Sequence, residues 1–246
     1  MKENVKLPHL EDIGPLEAFD PKAFMDDDPQ VQRVCDFVLA LALIFNDFKD
    51  LFWVAYTLKK ASPSFENFHE TPEWGHFTGA DHHIHRLQAT ILIELANLID
   101  KSTKTIAKPL FQNILKHVDA IERKSWEELA NPDSELRKQL LNLRDKLNAH
   151  YYYSENGDQK VIPEGFRAAF NGTARKPYLS WGKDVLGTRF YFADAAAVEV
   201  DKLIRTPGWR EKFDAHTNRV SKVVSGIIYL FLLERKCKPE KYEGAV

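Results

Sequence analysis

The run Leu143-Arg144-Asp145-Lys146-Leu147-Asn148-Ala149-His150-Tyr151-Tyr152-Tyr153 gathers the residue types with the most chemistry in this chain. The imidazole of His150 can move a proton near neutral pH. The guanidinium of Arg144 can hold a phosphate with two parallel hydrogen bonds and stabilise added negative charge. Asn148, one turn after Arg144, can hydrogen-bond a phosphate or a base. Tyr151 and Tyr152, followed by Tyr153, offer stacking faces and hydroxyls to unpaired bases. Such a set suits phosphodiester cleavage without a metal.

A helix must position these groups. Leu136, Leu140, Leu143 and Leu147 alternate spacings of four and three, the pattern of a helix–helix seam. On a wheel of about 100° per residue, His150 falls about 40° to one side of that stripe, and Arg144 and Tyr151 about 60–80° to the other. Arg144 and His150 are about 9 Å apart along the axis, yet both can reach one shallow groove beside the seam. A titrating ring in line with leucines is a costly placement that calls for a reason. The plain one is that a helix-terminal histidine meets the last carbonyls and the dipole, while the tyrosines seal the bundle end.

The remaining elements are read from periodicity and breakers. The first helix covers about 29–60 and is apolar on nearly every side, which predicts a central, buried helix. Residues 61–80 mix Pro63, Pro72, Gly75 and Gly79 with aromatics and read as a pinned loop. Asp81 reads as the N-cap of a helix over about 82–103. A third helix covers about 105–125, with Pro109 near its first turn. Asn131-Pro132-Asp133-Ser134 marks a break, and a fourth helix runs from there to about Tyr153. Helical periodicity is lost over 157–192, where five glycines alternate with aromatics; irregular structure is expected there, with room for one small hairpin ending at 189–192. Helix returns at about 194–204, and a last helix runs from about 209 to 234. The fold class is therefore all-α: an antiparallel helical bundle over 29–246, one domain interrupted by the 157–192 insertion.

Composition bounds the partners. The 246 residues carry a net charge of -2 and 44% apolar residues, as a globular protein does. There is no bulk basic signal, so nucleic acid would need a local patch. Residues 1–28 are acidic and read equally as an arm capping the body or as a solvated leader. The start of the chain lacks a secretory signal, and no apolar run reaches the ~20 residues a bilayer requires. The two cysteines, Cys35 and Cys237, read as buried free thiols. A cytoplasmic protein with no membrane contact is expected.

The segment LRDKLNAHYYY resembles the signature of the HEPN superfamily, the higher eukaryote and prokaryote nucleotide-binding domains. That signature is an arginine, a polar residue, then a histidine after four to six positions near the end of a bundle helix. Arg144, Asp145 and His150 fit it. The stretch ILIELANLIDKSTKTIAKPLFQNIL, residues 91–115, is similar to the abortive-infection branch, in which a helix ends in a Leu-x-Asp turn before a second helix. The resemblance spans about 81–153. It implies a helical bundle that pairs as a homodimer, and a metal-independent endoribonuclease acting on single-stranded RNA in defence or toxin–antitoxin biology, with an antitoxin protein as a further partner. Arg144, Asp145 and His150 would be catalytic; Asn148, Tyr151 and Tyr152 would bind substrate; no cofactor is implied. The sequence departs from the toxin branch silenced by tyrosine modification, whose His-x-Tyr follows four residues where His150-x-Tyr152 follows five. Some members of the superfamily have lost catalysis, so a silent RNA-, nucleotide- or protein-binding module is the alternative.

A second alternative rests on histidines. Asp81-His82-His83-Ile84-His85-Arg86 packs three of the nine histidines into four positions. His82 and His85, three apart, could hold a zinc with His76 or Asp81. Glu66–His69 and Glu73–His76 form Glu-x-x-His pairs, but both fall in one proline-rich stretch, which defeats a two-helix di-metal site. The chain has no phosphate-cradling glycine loop and no Gly-x-Ser-x-Gly elbow.

Overall fold

The computed structural model describes residues 17–61, 72–143, 153–155, 158–160, 179, 182–184, 188, 190, 208–237 and 240–241. Seven α-helices are found among them: α1 (Pro29–Ala61), α2 (Pro72–Lys101), α3 (Thr103–Ile106), α4 (Pro109–Lys116), α5 (Ala120–Ala130), α6 (Glu135–Leu143) and α7 (Trp209–Glu234). Among the described residues, extended structure forms two antiparallel ladders, β1 (Glu17–Ala18) with β4 (Glu240–Lys241) and β2 (Tyr153–Glu155) with β3 (Asp158–Lys160). The all-α class expected from the sequence is what the chain adopts.

The chain falls into two compact units. Unit 1 comprises Met1–Lys59, Leu95–Ala130 and His216–Val246; unit 2 comprises Lys60–Glu94 and Asn131–Ala215. Helices α2 and α7 contribute turns to both.

In unit 1, Phe111 of α4 is fully buried; its ring meets Phe37 of α1 edge-on at 5.3 Å and lies 6.4 Å from Trp126 of α5. Helix α7 adds Val220, Val224, Ile227 and Phe231, spaced four, three and four apart, all fully buried. Residues 17–28 of the acidic arm are tied to the end of α7. Phe24 packs its ring 5.1 Å from Phe231. The Arg235 guanidinium donates to Asp26 Oδ2 at 2.6 Å and to the carbonyls of Ala23 at 3.1 Å and Met25 at 2.8 Å. Those bonds, with the Asp28 backbone N–H, hold the Asp26 carboxyl below the usual carboxylate range. Helix α7 closes with Lys236 at φ 55 and the Cys237 N–H returning to the Leu232 carbonyl, a Schellman turn. Cys35 and Cys237 are both free, but only Cys35 is buried; burial pushes its thiol pKa up and leaves it inert.

Several boundaries differ from the sequence reading. Helix α2 begins at Pro72, nine residues before the expected Asp81 cap, so 72–80 are helical and Asp81 is interior. Proline suits a first helical position, and Gly75 and Gly79 weaken a helix by only about 1 kcal/mol each. The expected third helix is three helices. Lys108, preceding Pro109, is driven to ψ 143, and that ends one helix and starts the next. Asp119 Oδ1 then accepts from the N–H groups of Ile121 at 2.9 Å and Glu122 at 3.4 Å and starts α5. Helix α1 is not buried all round: Val34, Phe37, Val38 and Leu41 are interior, but Leu39 and Leu43 are exposed. The fourth helix does not reach Tyr153, which opens β2.

The hairpin sits at 153–160, at the entrance to the expected insertion rather than at its end. Glu155 pairs with Asp158, which leaves two residues between the strands, and their identity, Asn156-Gly157, is the pair most favoured in two-residue hairpins. Of the expected hairpin end at 189–192, only Phe190 is described, and it belongs to no ladder. The expected helix at 194–204 lies outside the described residues.

Candidate functional site

Helix α6 leads into the arginine–histidine motif, and its start is built locally. Asn131 Oδ1 accepts from the Asp133 N–H at 3.0 Å, turning the chain. Ser134 Oγ then accepts from the Arg137 N–H at 3.1 Å and satisfies one of the donors a helix start leaves open. Gln139 Nε2 donates to Glu135 Oε1 at 2.7 Å on the same helix. Leu136 and Leu140, the first half of the leucine stripe, are buried. Helix α6 is described to Leu143, the residue before Arg144. The expected catalytic residues Arg144, Asp145 and His150, and the expected substrate-binding residues Asn148, Tyr151 and Tyr152, lie outside the described residues.

Ser134→Ala removes the cap and lowers stability by about 0.5–2 kcal/mol. The shift shows as a lower urea midpoint, and Ser134→Asp, which keeps an acceptor, recovers most of it.

Arg137 was not singled out by the sequence reading. It is buried, lies next to Leu136, and stands seven residues before Arg144. Its signal was an arginine beside a leucine stripe. Buried arginines are rare, but the sequence alone does not distinguish one from a solvated flank.

The histidine-rich turns also belong to unit 2. His85 Nε2 lies 3.4 Å from Asp214 Oδ1, the histidine largely buried and the aspartate half exposed. His83 Nδ1 lies 3.2 Å from Arg86 Nη2, one helical turn on. The side chains of His76, Asp81 and His82 lie outside the described residues, and among the described residues no three His, Cys, Asp or Glu side chains converge as a metal would require. The metal alternative built on His82 and His85 therefore has one of its two histidines beside a carboxylate.

A second His–carboxylate pair lies in unit 1. His216 Nε2 of α7 is 3.2 Å from Glu128 Oε2 of α5. In the neutral ring, that contact puts the proton on Nε2, and Nδ1 is then an acceptor. Nδ1 is buried and has no hydrogen-bond partner among the described residues. Burial lowers the His216 pKa below the ordinary histidine value; Glu128 pulls it up and Arg219 pushes it down. No periodic pattern links residues 128 and 216, so sequence reading missed the pair.

This pair gives the fold a pH dependence of definite sign. A histidine with a lowered folded pKa binds fewer protons folded than unfolded. Its contribution is fully present above the unfolded value of about 6.5 and is lost as pH falls from there through the folded value, levelling off below it. The urea midpoint of the intact chain should fall over that window, and His216→Gln should flatten the fall.

Among the described residues, no helix is long and apolar enough to cross a membrane. Comparison of the chain with protein-family models, curated proteins and solved structures finds no match.

Proposed function

We propose that the chain is a metal-independent endoribonuclease of HEPN type, acting on single-stranded RNA as a homodimer in a defence or toxin–antitoxin setting. The observation that carries the reading is the Arg144-Asp145 pair followed by His150, placed directly after a capped helix whose Leu136 and Leu140 are buried. Burial of those two leucines supports the stripe from which the motif's placement beside a helix seam was read.

The chemistry follows from the residue types. The 2′-hydroxyl oxygen attacks the adjacent phosphorus, and the bond from phosphorus to the 5′-oxygen breaks. The products are a 2′,3′-cyclic phosphate and a 5′-hydroxyl. His150 takes the 2′-hydroxyl proton or delivers one to the leaving oxygen. Arg144 clamps the phosphoryl oxygens, whose negative charge grows in the transition state. Asp145 orients one of these two groups. Asn148, Tyr151 and Tyr152 hold the flanking nucleotides, with the aromatic faces favouring unpaired bases.

Incubation of the purified chain with single-stranded RNA in EDTA tests the reading. Fragments ending in a 2′,3′-cyclic phosphate are expected. RNA that is bound but left intact would move the assignment to a silent binding module, and cleavage only after addition of a divalent metal would overturn the metal-independent mechanism.

A further inference from the structure

We propose that unit 1 carries a docking surface for a second copy of this chain, in which the outer face of α1 seats antiparallel against the outer face of α7 of its partner. The proposal does not depend on the nucleolytic reading, because no residue of the Arg144–Tyr152 segment takes part.

Two exposed helix faces carry it. On α1, Asp36, Leu39, Leu43, Asp47, Asp50 and Val54 fall within about 40° of one line on a helical wheel. Leu39 is 50% and Leu43 62% exposed, unusual for leucines one turn apart on a helix whose other face is core. The charges on this stripe are three aspartates. On α7, Arg219, Lys222, Gly226, Tyr229 and Leu233 fall within about 60° of one line. Tyr229 is 63% and Leu233 51% exposed. The charges on this stripe are basic. Both stripes repeat at the four- and three-residue spacing of a helix–helix seam.

The two faces match in order as well as in sign. Laid antiparallel, one register sets Asp50 against Arg219, Asp47 against Lys222 and Leu43 against Gly226, and it seats Leu39 between Tyr229 and Leu233. A side chain needs room at the Leu43 position. A Cβ built on Gly226 would meet nothing within 4 Å, so the surface there is open. Lys222 is 59% exposed and only loosely engaged, 3.9 Å from Glu122 Oε1, so it can turn to a partner. Asp36, which accepts from Gln32 Nε2 at 2.8 Å on its own helix, falls opposite Leu233 at the end of this register. The apolar positions supply the buried area, and the charges fix the antiparallel register and reject a like-charged face.

Charge reversal tests the pairing. The double variant Asp47→Lys/Asp50→Lys makes both faces basic, and Arg219→Glu/Lys222→Glu makes both acidic. The intact chain should associate as concentration rises towards about 100 μM in sedimentation velocity, the range of a weak, modest interface. Each double variant alone should associate at least about tenfold more weakly, a difference of about 1.4 kcal/mol, with unchanged helical circular dichroism. An equimolar mixture of the two should associate again, because each basic face then meets an acidic one. Leu43→Asp should also weaken association, and its exposed position leaves the fold intact. An intact chain that stays monomeric throughout, association indifferent to both double variants, or a mixture that fails to recover would each overturn the proposal.

Discussion

Arg144→Ala is expected to slow EDTA-resistant cleavage of single-stranded RNA by about 10²–10³-fold, and His150→Ala by about 10²–10⁴-fold. The first figure is what is lost when a donor aimed at developing oxyanion charge is removed from a sheltered site, about 2.7–4 kcal/mol. The second is the usual span of a positioned proton-transfer group. Arg144→Lys separates charge from geometry. A lysine keeps the positive charge but not the planar fork, so it should recover only part of the rate. If the two residues act on one transition state, Arg144→Ala/His150→Ala should be little slower than the worse single variant. Cleavage that survives in both single variants would place the chemistry elsewhere in the chain or in a contaminant.

The parts of this fold that were legible are those that local chemistry dictates. Helix α1 was expected over 29–60 and spans Pro29–Ala61; α7 was expected over 209–234 and spans Trp209–Glu234. In both, a proline or glycine punctuates the start, and Gly208 has the positive φ of 71 that such a break requires. The Asn131–Ser134 break was also plain, because asparagine turns and serine caps act within three residues. Signals that compete were read less well. Gly75, Gly79 and two prolines suggested a loop where α2 had already begun, since a proline at a helix start and a proline in a loop look alike.

Long-range pairings left no sequence trace. His216 and Glu128 are 88 positions apart, and His85 and Asp214 are 129 apart, yet each pair lies within 3.4 Å. Their chemistry depends on packing, which periodicity does not encode. The exposed face of α1 was hidden for a related reason. A helix with leucines on every side reads as buried, and only the packed structure tells which apolar face has found a neighbour within the chain. The arginine–histidine motif was singled out by residue type and by resemblance together, and its residues 144–152 lie outside the described ones, so the fold adds only the helix that precedes them.

Phe111→Ala is expected to cost unit 1 about 3–5 kcal/mol, a large share of the ~5–15 kcal/mol that typically separates folded from unfolded chains. The argument begins with α4. At eight residues it is too short to persist alone, so tertiary burial must hold it. Phe111 and Ile114 are its two buried side chains, and Phe111 is the larger. Its ring reaches Phe37 of α1 and Trp126 of α5, so one side chain links three helices. Truncation removes the transfer energy of the ring and leaves a cavity bounded by two large aromatics that close over it poorly. The urea midpoint should fall accordingly, and the thermal midpoint by about 6–20 °C. Phe111→Leu should lose clearly less, because most of the volume stays filled. Lys116→Ala, exposed at the end of the same helix, should shift stability by no more than about 0.5 kcal/mol. A Phe111→Ala chain as stable as the parent would mean that unit 1 is held together elsewhere, most simply by the Arg235 clamp on residues 23–26 and the apolar face of α7.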